Sequence, residues 1–196
     1  MRKDTRVFEA NPQGGGAFGD LPEWDLSDLY ASEDAPELQA DLKWLKKSCL
    51  NFSDDYEGKL AQLNTDEMLK AVERYEAIDI IAGRIMSFAG LRYYQLTSDP
   101  KRAKFMSDMQ DKLTEHTTKL VFYGLEFNRL HEEALSKLLS KNAALARYKP
   151  VFDRMRAMKP HQLSDELEKF LHDQSTVGAT AWNRLFDETM AGLEFT

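Results

Sequence analysis

Of 196 residues only one is a cysteine, Cys49. No disulfide can form within the chain, which excludes the small secreted scaffolds that rely on cross-links in place of a core. Positive charge is also in short supply, with 26 Lys and Arg against 33 Asp and Glu and a formal net charge of -7. A phosphate backbone rewards clustered cations, whereas Lys101-Arg102 and Lys104 are soon followed by Asp108 and Asp111. That pattern reads as a solvated helix face, and no nucleic-acid partner is expected. No window approaches the ~20 apolar residues of a membrane span, and Met1-Arg2-Lys3-Asp4 is not followed by the apolar centre of a signal peptide. No membrane partner is expected, and a reducing cytoplasm is the default compartment.

What is present is helical periodicity. With 42% hydrophobic residues the chain can build a core as one globular domain or two small ones. The stretch Asn64 to Phe127 reads as two long antiparallel helices joined at Thr97-Ser98-Asp99-Pro100. Its first arm places Met68, Val72, Tyr75, Ala82, Met86, Ala89, Tyr93 and Leu96 on one stripe, broken at Asp79. A second apolar set, Ile78, Ile81, Ile85 and Phe88, predicts cover on more than one side. The return arm carries Met106, Met109, Leu113, His116, Leu120, Tyr123 and Phe127, so the arms can pack along their length. At ~1.5 Å per residue each arm reaches roughly 40 Å.

The rest is arranged around that hairpin. Residues 1–20, with Gly14-Gly15-Gly16, are expected to be a flexible lead-in; the strand, helix and Lys-Ser/Thr pair of a phosphate loop are missing. Order is expected from Leu21, because Trp24, Leu26, Leu29 and Tyr30 are too many large apolar groups to leave in water. A helix beginning near Asp34 or Ala35 tolerates Pro36 in its first turn, carries Leu38, Leu42, Leu45, Cys49, Phe52 and Tyr56, and stops at Gly58. Asn64 with Glu67 forms a capping box for the next helix, and Asp99-Pro100 restarts the chain at the other end of the hairpin. Shorter helices follow from about Leu130 to Leu139, from about Ala143 to Met158 with a kink at Lys149-Pro150, and from Ser164 with Leu167, Phe170 and Leu171 as the apolar side. The last runs from about Thr180 to Met190 and closes at Gly192. Leu193-Glu194-Phe195-Thr196 alternates as a strand does, so an all-α domain with a short terminal β segment is expected. A lone strand leaves its backbone groups unpaired, so the chain is read as cut.

No complete catalytic constellation emerges. His131-Glu132-Glu133-Ala134-Leu135 begins like the zinc-binding His-Glu-x-x-His, but Leu135 stands where the second imidazole is needed. His116 lies on an apolar stripe and reads as a hydrogen-bonded buried histidine; His161 and His172 have no second ligand at a telling spacing. Adjacent carboxylates, Asp54-Asp55 and Glu132-Glu133, point about 100° apart on a helix. Cys49 reads as core. Tyr93-Tyr94 and Tyr123 offer stacking or hydrogen bonds to a bound peptide, or are simply core. No catalytic or metal residue is assigned, and the substrate-binding residues stay open.

Three strings nevertheless resemble one family. Leu21-Pro22-Glu23-Trp24-Asp25-Leu26-Ser27-Asp28-Leu29-Tyr30 is similar to the opening of oligoendopeptidase F zinc peptidases, relatives of thimet oligopeptidase. Lys159-Pro160-His161-Gln162-Leu163-Ser164 with Glu168-Lys169-Phe170-Leu171, and then Thr180-Ala181-Trp182-Asn183-Arg184-Leu185-Phe186-Asp187-Glu188, resemble later segments in the family's order. The resemblance implies that 21–196 is a helical amino-terminal lobe, with 64–127 its central hairpin and the catalytic domain absent. It implies a two-lobed enzyme that cleaves oligopeptides, with zinc belonging to the missing part and none bound by this chain. On that reading the fragment is inactive alone, and the side near Tyr93, Tyr94 and Thr97 faces the cleft. Homodimerisation through an exposed lobe surface is a further expectation. A stand-alone helical interaction module remains the alternative.

Overall fold

The computed structural model describes residues 24–193, and every regular element among them is helical. The lead-in 1–20 and all but the first residue of the expected β segment lie outside the described residues.

Helix α1 spans Pro36–Tyr56, with proline in its first turn, where early amides lack helical partners. Leu38, Leu42, Leu45, Cys49 and Phe52 are buried, as their spacing predicts. The stop is backbone chemistry: Gly58 has φ +78°, a region that costs other residues ~1–2 kcal/mol. From 68 residues further on, Glu126 holds this turn. Its carboxylate accepts from the Gly58 N–H at 2.6 Å and from the Leu60 N–H at 3.4 Å.

Helix α2, Thr65–Gln95, is the axis of the structure. Asn64 Oδ1 accepts from the amides of Asp66 and Glu67, both at 3.0 Å, while Glu67 returns a carboxylate to the Asn64 N–H at 2.9 Å. The predicted capping box is therefore complete. Helix α3, Pro100–Thr117, runs back from a turn in which Asp99 Oδ1 accepts from the Lys101 N–H at 2.8 Å. The return arm is not one helix. A 3-10 turn at Thr118–Leu120 separates α3 from α4, Val121–Arg129, and the Thr117 and Thr118 hydroxyls donate to carbonyls four residues back at that break. The two arms consequently differ in length, ~46 Å for the 31 residues of α2 and ~27 Å for the 18 of α3.

Both apolar sets on α2 are used, which is why it is covered on two sides. Ile78, Ile85 and Phe88 pack with Leu38, Leu42, Leu45 and Phe52 of α1 and with Met109 and Leu113 of α3. Met68 and Val72, one end along, pack with Phe127, Leu130, Leu135, Leu145 and Phe152. Aromatic rings run through both clusters: Phe52 meets Tyr123 edge-on at 5.5 Å, Tyr123 stacks on Tyr75 at 4.3 Å and lies 6.3 Å from Phe127, which joins the two, and Phe127 lies 4.5 Å from Phe152. Leu96 departs from the expected stripe and is exposed, because the helix has ended before it.

Before α1, Leu26 to Tyr30 forms a turn closed by the Leu29 and Tyr30 amides on Leu26 O. Tyr30 is buried against Phe88, but Trp24 is 69% exposed and does not join the core. Arg84 pins this segment: its guanidinium donates to Leu29 O at 2.5 Å, lies over the Tyr30 ring at 4.4 Å and faces Asp41 at 3.4 Å, while Tyr30 Oη donates to Asp41 at 2.7 Å.

The later helices are α5, Glu132–Lys141; α6, Ala143–Ala146; α7, Lys149–Ala157; α8, Asp165–Gln174; and α9, Ala179–Ala191. The expected helix from Ala143 to Met158 is thus two, interrupted at Arg147 and Tyr148, with Pro150 in the first turn of α7, where early amides lack helical partners. Ser164 stands at the cap of α8 without donating or accepting a side-chain cap bond; Glu168 instead accepts from the Leu163 N–H at 2.8 Å. The apolar side expected to bury α8 does not: Leu167, Phe170 and Leu171 are each more than half exposed.

Two substitutions test the Gly58 turn. Gly58→Ala should cost about 1–2 kcal/mol in urea unfolding, since a Cβ there meets no neighbour and only the backbone is strained. Glu126→Ala should cost a similar ~1–2 kcal/mol by releasing two amides. Losses within ~0.3 kcal/mol for both would remove the turn from the list of features that hold α1 to α2.

Candidate functional site

The residues singled out by the sequence do not converge. His131 caps α5 without a side-chain bond and is exposed; Glu132 next to it pairs with Arg156 at 3.1 Å. Among the described residues no three His, Cys, Asp or Glu side chains come together in a way that could hold a metal ion. The described residues thus present no donor set that fits zinc. Cys49 is fully buried, which pushes its thiol up to about 11 and leaves it without thiolate character at neutral pH.

Nor do the tyrosines form a single surface. Tyr123 is buried in the stack on Tyr75, so its ring is core and cannot meet a ligand. Tyr93 points inward, 3% exposed with an unpartnered hydroxyl, whereas its neighbour Tyr94 is 63% exposed. Of Tyr93, Tyr94 and Thr97, the residues expected to face a cleft, Tyr94 alone offers a broad ring to solvent. Beside that tip lies a cavity of about 800 Å³ between the Trp24–Asp34 segment and the end of α2. The cations in its wall are already engaged: Arg92 faces Glu33 at 3.4 Å, and Arg102 faces Asp99 at 3.7 Å.

Two further cavities adjoin across α4, sharing Val121 and Gly124. One, of about 360 Å³, places Asp79, the break in the α2 stripe, beside Tyr75, Thr117 and His172. The His172 Nε2 lies 3.1 Å from the Thr117 hydroxyl, and the Thr118 hydroxyl, its one proton shared with Thr114 O, lies 2.5 Å from Asp173 Oδ1, so α8 is tied to the break between α3 and α4. The other, of about 340 Å³, is walled by Leu125, Asn128, Met155, Met158 and Gln162, with His161 and Glu168 as its ionisable residues. Sequence reasoning passed over Asn128 and Gln162 because isolated amides in helical periodicity carry no chemical signature; only burial without partners marks them. His116 sits away from both, half-buried among Lys46, Thr118 and Asp173, and makes no side-chain hydrogen bond among the described residues, contrary to expectation.

Set beside known proteins, residues 126–195 match the family model described as oligopeptidase F. Three curated proteins align over most of the chain, among them the plasmid oligoendopeptidase F of Lactococcus lactis subsp. cremoris, 25% identical over 78% of this chain and 25% of its own length. The oligopeptidase PepF of Bacillus subtilis is 25% identical over 82% of this chain and 23% of its own. The chain is similar to oligoendopeptidase F. What it resembles is the amino-terminal region of that family, and it spans about a quarter of the length of these relatives. The matched oligopeptidase F span contains the Lys159 and Thr180 strings, while the hairpin falls almost wholly before it. No solved structure matches the chain.

Burial, with the cations of Lys46 and Lys112, lowers the His116 pKa despite Glu115 nearby. A histidine that resists protonation when folded supports stability above its unfolded pKa of about 6.5, and that support is lost as pH falls toward the lower folded value. His116→Gln should therefore reduce the fall in unfolding free energy as pH drops below about 6.5. An NMR titration in which His116 protonates at or above the peptide value would reverse that assignment.

Proposed function

We propose that this chain is the amino-terminal, cleft-forming lobe of a zinc-dependent endopeptidase that hydrolyses short peptides in the cytoplasm, with the zinc and catalytic residues supplied by polypeptide outside it. The observation that carries the reading is the family match through α8 and α9, together with the surface those helices present. Leu167, Phe170, Leu171, Trp182, Leu185 and Phe186 are all exposed, Trp182 by 71%. A soluble monomer rarely leaves so many large apolar groups together in water, and such a face suits burial against further polypeptide. In the proposed enzyme the lobe forms one wall of a cleft, and its rigid hairpin limits the size of what enters. Closure of the second lobe expels water and aligns the peptide.

This chain's own contribution is shape and binding, not bond cleavage. The alternative, a stand-alone interaction module, draws on the same apolar face, which would then serve a separate partner or a second copy.

The readings separate by assay. The pure 196-residue chain should show no zinc-dependent turnover of a quenched fluorogenic peptide, whereas a longer product of the same reading frame, with His-Glu-x-x-His beyond Thr196, should cleave it and lose that activity to a chelator. Zinc-dependent turnover by the chain alone would overturn the assignment of chemistry elsewhere; a frame that closes at Thr196 with no catalytic partner would favour the module. The paired change Phe170→Ser and Phe186→Ser should alter the stability of the isolated chain by no more than about 0.5 kcal/mol, because both side chains are exposed. In the longer protein the same pair should lower the unfolding temperature if that face is covered there.

A further inference from the structure

Asp79 interrupts the apolar stripe of α2, and the fold sets that interruption in the wall of the 360 Å³ cavity. Its neighbours on the stripe, Tyr75 and Ala82, line the same opening. Asp79 is exposed, so its carboxylate is open to whatever enters. The ion pairs among the described residues leave it out. No local cation serves it either, since the positions three and four residues away hold Tyr75, Glu76, Ala82 and Gly83. Burial, and after it the negative charge of Asp79, raises the Tyr75 pKa, which places the carboxylate near that phenol. The fold therefore spends a stripe position on a charge that its own side chains do not neutralise.

The rest of the wall restricts the ligand. Its ionisable groups are Tyr75, Asp79 and His172, and among the described residues no Lys or Arg lines it. The Thr117 hydroxyl spends its proton on Leu113 O at 2.8 Å, so it accepts from His172 Nε2–H at 3.1 Å, and the neutral imidazole keeps its lone pair at Nδ1. The apolar part is Ile78, Ala82, Leu120 and Val121, of which Ala82 and Val121 keep partial exposure. A bare metal ion is poorly served by one carboxylate, and no three donors gather here. An ammonium attached to an apolar group uses both halves of the wall. The volume lies at the lower end of small-ligand pockets, enough for one residue.

We propose that this cavity holds the amino end of an oligopeptide, its α-ammonium paired with the Asp79 carboxylate and its first side chain, an apolar one, against Ala82 and Val121. The inference rests on the lobe reading for its ligand, the peptide substrate. It anchors one end of that peptide on α2, the longest helix of the structure, away from the bond that is cut. It also gives the broken stripe a use that packing does not.

The probe is leucyl-glycine amide, titrated at pH 7 into the isotopically labelled 196-residue chain and followed by NMR; its amino group, with a pKa of about 7.7–8.0, is mostly charged there. Saturable shifts are expected at the backbone amides of Asp79, Thr117 and Gly124. N-acetyl-leucyl-glycine amide, which lacks the charge, should bind about fivefold more weakly or worse. Added salt should narrow that difference. Asp79→Asn should abolish the preference for the free amine while leaving the unfolding temperature unchanged, because the side chain is exposed. The comparison of free and acetylated peptide on the unaltered chain needs no variant, so it decides the matter should Asp79→Asn fold poorly. Absence of a saturable shift, equal binding of the acetylated peptide, or an undiminished preference in folded Asp79→Asn would overturn the proposal. Equally tight binding of N-acetyl-lysine amide would overturn the assignment to the amino end. These readouts need no turnover, so their failure leaves the lobe reading in place, and an inactive full-length protein leaves the binding result standing.

Discussion

Burial of two faces of one helix is the constraint on which the structure depends. Helix α2 can be long because it is apolar on more than one side, and it can be apolar on those sides because α1, α3 and the α4–α7 group all cover it. Fully burying side chains such as Phe88 and Ile85 contributes roughly 1.5–3 kcal/mol each, well above what any exposed ion pair on the surface supplies. The polar contacts matter differently. Asn64 and Glu67 fix where α2 begins, Gly58 and Glu126 fix how α1 reaches it, and Arg84 fixes the segment before α1.

Along the chain this burial declines. Helices α1 and α2 contribute many fully buried residues, α5 and α7 one each, and α8 and α9 none. Helices α8 and α9 are attached chiefly by polar ties: Lys169 to Glu57 at 3.0 Å, Arg129 to Asp165, and Arg184 to Ser107 at 2.8 Å. Their apolar faces look outward, which is the physical content of the proposal that more polypeptide belongs against them.

Much of the fold was legible because local rules and burial agree there. The stripe from Leu38 to Phe52, the capping box at Asn64, the proline restart at Asp99 and the close at Gly192 each follow from residue chemistry within one or two turns. The errors arose where tertiary context decides. Periodicity cannot tell a stripe that meets the core from one that waits for a partner, so it marks Leu167, Phe170 and Leu171 as an apolar side without saying what that side faces. It is equally blind to a 3-10 turn such as Thr118–Leu120, which keeps the spacing of apolar residues nearly intact. Site chemistry was barely legible: the histidines and paired carboxylates proved scattered, and the two unpaired amides acquire meaning only from what surrounds them.

The Glu126 clamp on the Gly58 turn carries a kinetic consequence. Contacts among α1, α2 and α3 join neighbours in sequence and close modest loops, the kind that form early. Glu126, however, reaches back across 68 residues, and Lys169 reaches Glu57 across 112. On a ribosome the α1–α3 core could collapse well before either anchor has been synthesised, and the open end of α1 would stay unlatched until α4 arrives. The clamp is thus a late-closing catch on an early-folding hairpin.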